Sequence, residues 1–341
     1  MNLQNKRVFV TGGAGFIGST LVRELLKEKA DIIVYDNFIS GDIRNLKEVS
    51  NDIEIIEGDI RDSNLFKLLE KKQIDFLFNL AALPYIPDCY NKPLEFFDVD
   101  AKGAMNVILA AKKADVKKIL QYSTSEVYGT AKYVPIDENH PTLPLSTYAV
   151  SKLAADRICY TLSFEQDIPV VILRQFNTYG SRETQPYVIP EIITQLTNSN
   201  KIRLGNIKAR RDFVHVSDAA KAAIMLMKSK QGVGDVFNCG SGNDYSIELL
   251  ARTIGDIFNK RFEIIIDENR LRPLDVELLR ANYFKLYKLT GWTPKISLEE
   301  GLNDLVEWFN DNNKKWLWEE KIVSSDKVWV HKKVTNIKEI V

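Results

Sequence analysis

The chain has 341 residues, with 46 lysines and arginines against 46 aspartates and glutamates. That length exceeds one typical core, so a large α/β domain with a smaller satellite is expected. Balanced charge leaves no basic footprint for nucleic acid. Cys89, Cys159 and Cys239 lie far apart with no CxxC pair, which disfavours a zinc site or disulfide framework and fits a reducing cytoplasm.

The first residues, Met1 to Lys6, lead straight into a strand, so no signal peptide is expected. No apolar run approaches the ~20 residues of a membrane helix. Arg7-Val8-Phe9-Val10 reads as a buried parallel strand. It feeds Thr11-Gly12-Gly13-Ala14-Gly15-Phe16-Ile17-Gly18 and then a helix carrying Leu21, Val22, Leu25 and Leu26. Strand, glycine turn and helix are the context in which a backbone cradles a dinucleotide pyrophosphate, here with Gly12, Gly15, Phe16, Ile17 and Gly18. The next strand, from Asp31, ends at Asp36-Asn37. A carboxylate there accepts from ribose hydroxyls and repels a 2′-phosphate, which favours NAD over NADP. The third strand leads to Gly58-Asp59-Ile60, placed for an adenine edge. The fourth leads to Leu80-Ala81-Ala82, small enough at its end for a cofactor to lie against the sheet.

From Pro93 a helix is expected through Leu109, then the strand Ile119-Leu120-Gln121-Tyr122. That strand opens into Ser123-Thr124-Ser125-Glu126-Val127-Tyr128-Gly129. A helix from Thr147 places Tyr148 and Lys152 four apart on one face. Beside a nicotinamide, a nearby ammonium and the positive ring both favour phenolate, so Tyr148 is expected to be tuned towards a working base. Lys152 would also hold the nicotinamide ribose, and Thr124 would bond the same substrate oxygen. Another strand, Val170 to Leu173, precedes Asn177-Thr178-Tyr179-Gly180. Regular alternation then loosens. The expected division is a dinucleotide-binding domain over 1–180 with later segments near 212–240 returning to it, a substrate lobe over 181–320, and a tail over 321–341. Ser297-Leu298-Glu299-Glu300 is a capping-box pattern. The tail from Asn313, with Trp316, Trp318 and Trp329, reads as a packed helix plus an edge strand, with a partner or subunit contact as the alternative. His140 and His215 lack ligand-type neighbours, so no metal site is expected.

Thr11-Gly-Gly-Ala-Gly-Phe-Ile-Gly18, Tyr148-x-x-x-Lys152 and Arg211-Asp-Phe-Val-His-Val216 together resemble the extended short-chain dehydrogenases/reductases, from the first strand to near residue 310. The resemblance implies a doubly wound parallel Rossmann sheet, NAD and a nucleotide-sugar substrate. The Ser123–Gly129 loop is more similar to 4,6-dehydratases and UDP-glucuronate decarboxylases than to 4-epimerases, in which the position of Glu126 is usually not a carboxylate. The segments Thr130–Glu138 and Phe176–Gly180 are most similar to dehydratases of nucleotide-linked N-acetylglucosamine, of the legionaminic-acid pathway type. On that resemblance C4 is oxidised, Glu126 takes the now acidic C5 proton, water leaves C6, and hydride returns to C6. Thr124, Ser125, Glu126, Tyr148 and Lys152 form the implied catalytic set. Ser125 stands where dTDP-glucose dehydratases carry an Asp that helps protonate the departing hydroxyl. Arg211 and Arg272 are placed on the diphosphate, with Asn177 beside them. Asp100 stands where the family commonly has Asn. A homodimer joined by the helices around Phe96–Leu109 and Leu153–Leu162 is implied as well. Rival readings are a decarboxylase, a 4-epimerase, and an NAD-binding sensor without chemistry.

Overall fold

The computed structural model describes residues 1–322. Six strands follow the expected runs: β1 (Arg7–Thr11), β2 (Asp31–Asp36), β3 (Glu54–Glu57), β4 (Phe76–Asn79), β5 (Lys118–Thr124) and β6 (Val170–Gln175). They are joined in one parallel sheet by a later strand, Val236–Cys239, in the order β3-β2-β1-β4-β5-β6 and then Val236–Cys239. The order reverses between β1 and β4, and a crevice at the carboxyl ends of strands is expected at such a point.

Period-two alternation divides the core. Val8, Val10, Ile32 and Val34 face a layer containing the Phe16–Lys27 and Val216–Lys228 helices. Phe9, Ile33, Leu77 and Ile119 face the opposite layer with the Leu65–Lys72, Ala104–Lys113 and Thr147–Glu165 helices. Both faces of each strand are thus buried, which is why the strands read as unbroken apolar runs.

Beyond β6 the chain leaves this sheet. Strand β7 (Asn177–Tyr179) pairs in parallel with Arg210–His215, which pairs antiparallel with Asp244–Ser246. A second small sheet joins Lys201–Leu204 to Glu263–Ile266. The Arg210–His215 strand thus stays in the smaller lobe, while the segments after it return to the main layers as the Val216–Lys228 helix and the Val236–Cys239 strand. A separate core of Ile192, Leu196, Leu250, Ile254, Leu302 and Phe309 holds the smaller lobe together. Its last long helix, Leu298–Asp311, begins with the expected capping box between Ser297 and Glu300. Trp316 is fully buried with its ring stacked on Phe309, 5.2 Å between centroids, ahead of a short helix at Leu317–Ile322. Trp329 and the expected edge strand lie outside the described residues.

The expected helix from Pro93 is interrupted. A π-turn over Asp98–Gly103 separates Pro93–Phe97 from Ala104–Lys113. The extra residue per turn carries Asp100 inward, where it is almost fully buried. Among the described residues, no helix is long and apolar enough to cross a membrane.

Candidate active site

A single cleft of about 440 Å³ runs from the glycine turn after β1 to the loop at Arg270–Asp275. Gly12, Gly15, Phe16, Ile17 and Gly18 form its floor at one end, with Asp36, Asn37, Ile60, Leu80, Ala81 and Ala82 beside them. Gly12 has φ +68°, and a Cβ there would come within 2.7 Å of the Ala81 nitrogen. A Cβ on Gly18 would collide with the Gly12 carbonyl. The turn therefore admits only hydrogen at both positions. The Phe16–Lys27 helix starts from Gly15 with no side-chain cap and no acid in its first turn. Its leading N–H groups remain available to an anion.

The Asp36 carboxylate accepts from the backbone nitrogens of Ala14 and Phe38, both at 2.9 Å. These bonds leave lone pairs for ribose hydroxyls. Burial raises its pKa, and the backbone donors pull it back. Asp59 is placed differently from the expectation of an adenine contact. Arg61 grips both its oxygens at 2.9 and 2.7 Å, Asn37 adds a bond of 3.1 Å, and its pKa is lowered to about 2. Its neighbours Gly58 and Ile60 line the cleft instead.

At the centre, Thr124 ends β5 and caps the Ser125–Tyr128 turn, its hydroxyl accepting from Glu126 N at 3.2 Å. The same hydroxyl is close enough to the Tyr148 phenol to oppose the rise in its pKa. One short side chain thus acts on both Glu126 and Tyr148. Thr124, Glu126, Tyr148 and Lys152 all line the cleft. Ser125 is buried behind the turn and lines none of it. Beneath the turn, the Tyr128 hydroxyl donates to Asn238 and accepts from Arg174, whose guanidinium pairs with buried Asp156 at 2.9 Å. That network ties the catalytic turn to β6, to the Val236–Cys239 strand and to the helix bearing Tyr148. Ser146 caps this helix by accepting from Ala149 N.

Lys152 Nζ donates to the Tyr122 carbonyl at 2.9 Å, and burial lowers its pKa. Burial pushes Tyr148 well above the usual tyrosine range, and Asp100 and Tyr187 add to the rise against the pull of Thr124. The protein alone keeps this phenol protonated. A base at neutral pH requires a further positive charge in the cleft.

At the far end, β7 pairs with Arg210–His215 so that Asn177 lies opposite Phe213. Arg211, two residues before Phe213, shares its face of the strand. Arg211 is buried, and its ion-pair partner is Asp275 at 3.2 Å, not the adjacent Asp212. Asp212 points away and accepts from Ser241, Gly242 and Ala281. Arg272 reaches the same Asp275 at 3.9 Å. Two guanidiniums therefore share the Asp275 carboxylate, and Glu126 acts on Arg211 as a second negative charge from the same cleft. Asn177 Oδ1 and Ser123 Oγ are buried there without hydrogen-bond partners. Sequence reasoning missed Asp275, although its i,i+3 spacing from Arg272 was a signal. It also missed Arg270, paired with buried Glu191 at 3.0 Å, and Tyr187.

The segment 181–188 crosses from the smaller lobe to the glycine turn. Asn45 Nδ2 donates to Ala14 O and Glu183 O at 3.1 and 3.2 Å, and Glu183 N donates back to Asn45 Oδ1 at 3.0 Å. Tyr187 Oη donates to Pro84 O at 3.0 Å.

The sequence model of the GDP-mannose 4,6 dehydratase family matches residues 9–305. The chain belongs to this NAD-dependent epimerase/dehydratase family. It is similar to the dTDP-D-glucose 4,6-dehydratase of Mus musculus, 33% identical over 93% of this chain and 92% of that one. It is equally similar, at 33% over 90% of this chain and 98% of the other, to a UDP-N-acetyl-alpha-D-glucosaminuronate decarboxylase of Bacillus cytotoxicus. Among solved structures, dTDP-glucose 4,6-dehydratase from Bacillus anthracis in complex with NAD superimposes with a TM-score of 0.82. That structure is 28% identical, with 91% of this chain and 98% of that one covered. This epimerase/dehydratase family includes eliminations, decarboxylations and epimerisations, so its members divide on what the groups beside Tyr148 do.

Proposed function

We propose that the protein is an NAD-dependent nucleotide-sugar 4,6-dehydratase acting on a UDP- or similarly linked hexose, with N-acetylglucosamine the favoured sugar. The observation that carries this reading is Glu126, a carboxylate held by the Thr124 cap beside Tyr148 in the cleft. The glycine cradle, the uncapped helix and the spare lone pairs of Asp36 fit a dinucleotide. NAD held there would supply positive charge, a hydride acceptor for C4 and a hydride donor for C6. Tyr148 removes the C4 hydroxyl proton and Thr124 holds that oxygen. The resulting ketone acidifies the C5 hydrogen, and Glu126 takes it. Ser125 is buried away from the cleft, so Glu126 or a water it holds returns the proton to the leaving C6 hydroxyl. Arg211 and Arg272 receive the diphosphate as Asp275 gives way. The C5–C6 elimination needs a base that plain epimerisation at C4 does not, and this favours dehydration over the epimerase reading.

The test is incubation with UDP-N-acetylglucosamine and mass analysis of the product. Loss of water supports the reading; inertness towards it and towards the GDP, CDP and dTDP hexoses sinks it. Release of CO2 from UDP-glucuronate, without dehydration of any hexose, would assign decarboxylation instead. Arg272→Ala is expected to raise KM by about 10- to 100-fold, the worth of one charged hydrogen bond of roughly 1.5–3 kcal/mol, with kcat little changed. Steady-state kinetics check this, and a fall in kcat alone would move Arg272 off the diphosphate. Exposed Leu94, Phe97, Leu109 and Val150 on the helices at 93–113 and 147–165 support the reading of a homodimer, which light scattering tests.

A further inference from the structure

We propose that Asp100 is a positioning residue for the dinucleotide, holding Lys152 and the Leu80–Tyr85 segment in their binding arrangement while its carboxylate is charged. The π-turn brings this side chain between two walls of the cleft. Its Oδ1 accepts from the Leu83 nitrogen at 2.8 Å, and its Oδ2 lies 3.2 Å from Ser151 Oγ, whose one proton it shares with the closer Tyr148 carbonyl at 2.8 Å. Leu80, Ala81, Ala82 and Leu83 line the cofactor half of the cleft, and Ser151 precedes Lys152 on its helix. One buried carboxylate therefore fastens the segment after β4 to the helix that carries both catalytic side chains.

Charge matters as well as shape. Lys152 is buried, and Asp100 is the strongest electrostatic influence keeping it protonated. The titratable groups facing Asp100 from the 147–165 helix are Lys152 and Tyr148; the Leu80–Tyr85 segment presents it a backbone N–H. On its own turn, Asp98 and Lys102 pair with each other near the surface. Asp156 and Cys159 act on Lys152 from beyond. Burial raises the Asp100 pKa to about 6, against the pull of Lys152 and its two hydrogen bonds. Protonation in that range removes the counter-charge from Lys152 and weakens acceptance from Leu83.

The proposal concerns dinucleotide binding, so it holds whichever sugar reaction the site performs. Its test needs no sugar. NAD affinity is measured on the full-length protein after cofactor removal, from pH 5 to 8, for wild type and Asp100→Asn. The variant keeps an acceptor for Leu83 but no charge. The ratio of the two affinities cancels titrations common to both proteins, Asp36 included. The ratio is expected near one at pH 5, rising through about pH 6 to about tenfold in favour of wild type, the equivalent of one pKa unit. A ratio flat across the range overturns the proposal.

Thermal unfolding of the same samples reports folding and supplies a second readout. Below pH about 6 the folded chain keeps on Asp100 a proton that the unfolded chain releases near pH 4, so this group costs stability as pH rises. Asp100→Asn should therefore melt above wild type at pH 8, with the gap closing by pH 4. A pH-independent gap would reduce Asp100 to a structural contact and overturn the proposal too.

Discussion

Glu126→Gln is expected to stop the reaction after C4 oxidation, with the cofactor reduced and the sugar held as its 4-keto form. The amide keeps the size of the side chain, and the backbone bond to Thr124 is untouched, so the turn retains its shape. What disappears is a group able to take the C5 proton. Loss of a positioned general base costs roughly 10²–10⁴-fold. Turnover should fall by that factor while a spectroscopic burst of reduced cofactor survives. Mass analysis would find no loss of water. If Glu126→Gln dehydrates at the wild-type rate, the carboxylate is only a turn residue and the dehydratase reading loses its support. An unaffected epimerisation would point to the alternative chemistry directly.

Tyr148→Phe should act one step earlier. The phenol lines the cleft with Thr124, Glu126 and Lys152, and on the proposed reading the C4 proton has no acceptor without its hydroxyl. No reduced cofactor should appear on adding substrate, with a loss again of about 10²–10⁴-fold. Binding should persist, since Lys152 keeps its bond to the Tyr122 carbonyl and Arg211 its place beside Asp275. The two variants thus separate the steps: one accumulates reduced cofactor and the other forms none. Retained C4 oxidation in Tyr148→Phe would remove Tyr148 from the role of base.

The parts of this site that could be read from the sequence are local in the chain. The β1 strand, the glycine turn and the following helix are contiguous, so composition and period define them before any tertiary contact does. The same holds for the Ser123–Gly129 loop and for the pairing of Tyr148 with Lys152 on a helix face. What escaped reading depends on groups meeting from far apart. Arg211 finds Asp275 across 64 residues, and Tyr187 finds Pro84 across 103. Spacing also fixes where a side chain starts, not where its charge ends. Four-residue spacing puts Lys152 beside Tyr148, yet a buried ammonium must satisfy its donors, and the nearest good acceptor was the Tyr122 carbonyl. Asp59 is a similar case, because Arg61 two residues on donates to both its oxygens. The π-turn carries no sequence mark, and with it the contacts of Asp100 with Leu83 and Ser151 were hidden.

The bonds from Asn45 to Ala14 and Glu183, and from Tyr187 to Pro84, have a kinetic consequence. On the proposed reading, a dinucleotide lying between the glycine turn and the 181–188 segment would leave once the Asn45–Glu183 and Tyr187–Pro84 links open. The Asn45–Glu183 pair and the Tyr187–Pro84 bond both resist that opening, so cofactor exchange is expected to be slower than passage of a sugar nucleotide through the other end of the cleft. In the proposed cycle, which returns its hydride to the product, slow exchange would cost nothing: each molecule would behave as a sealed redox cell, charged and discharged by its own substrate. Its output would then be indifferent to the ratio of oxidised to reduced dinucleotide in the surrounding solution.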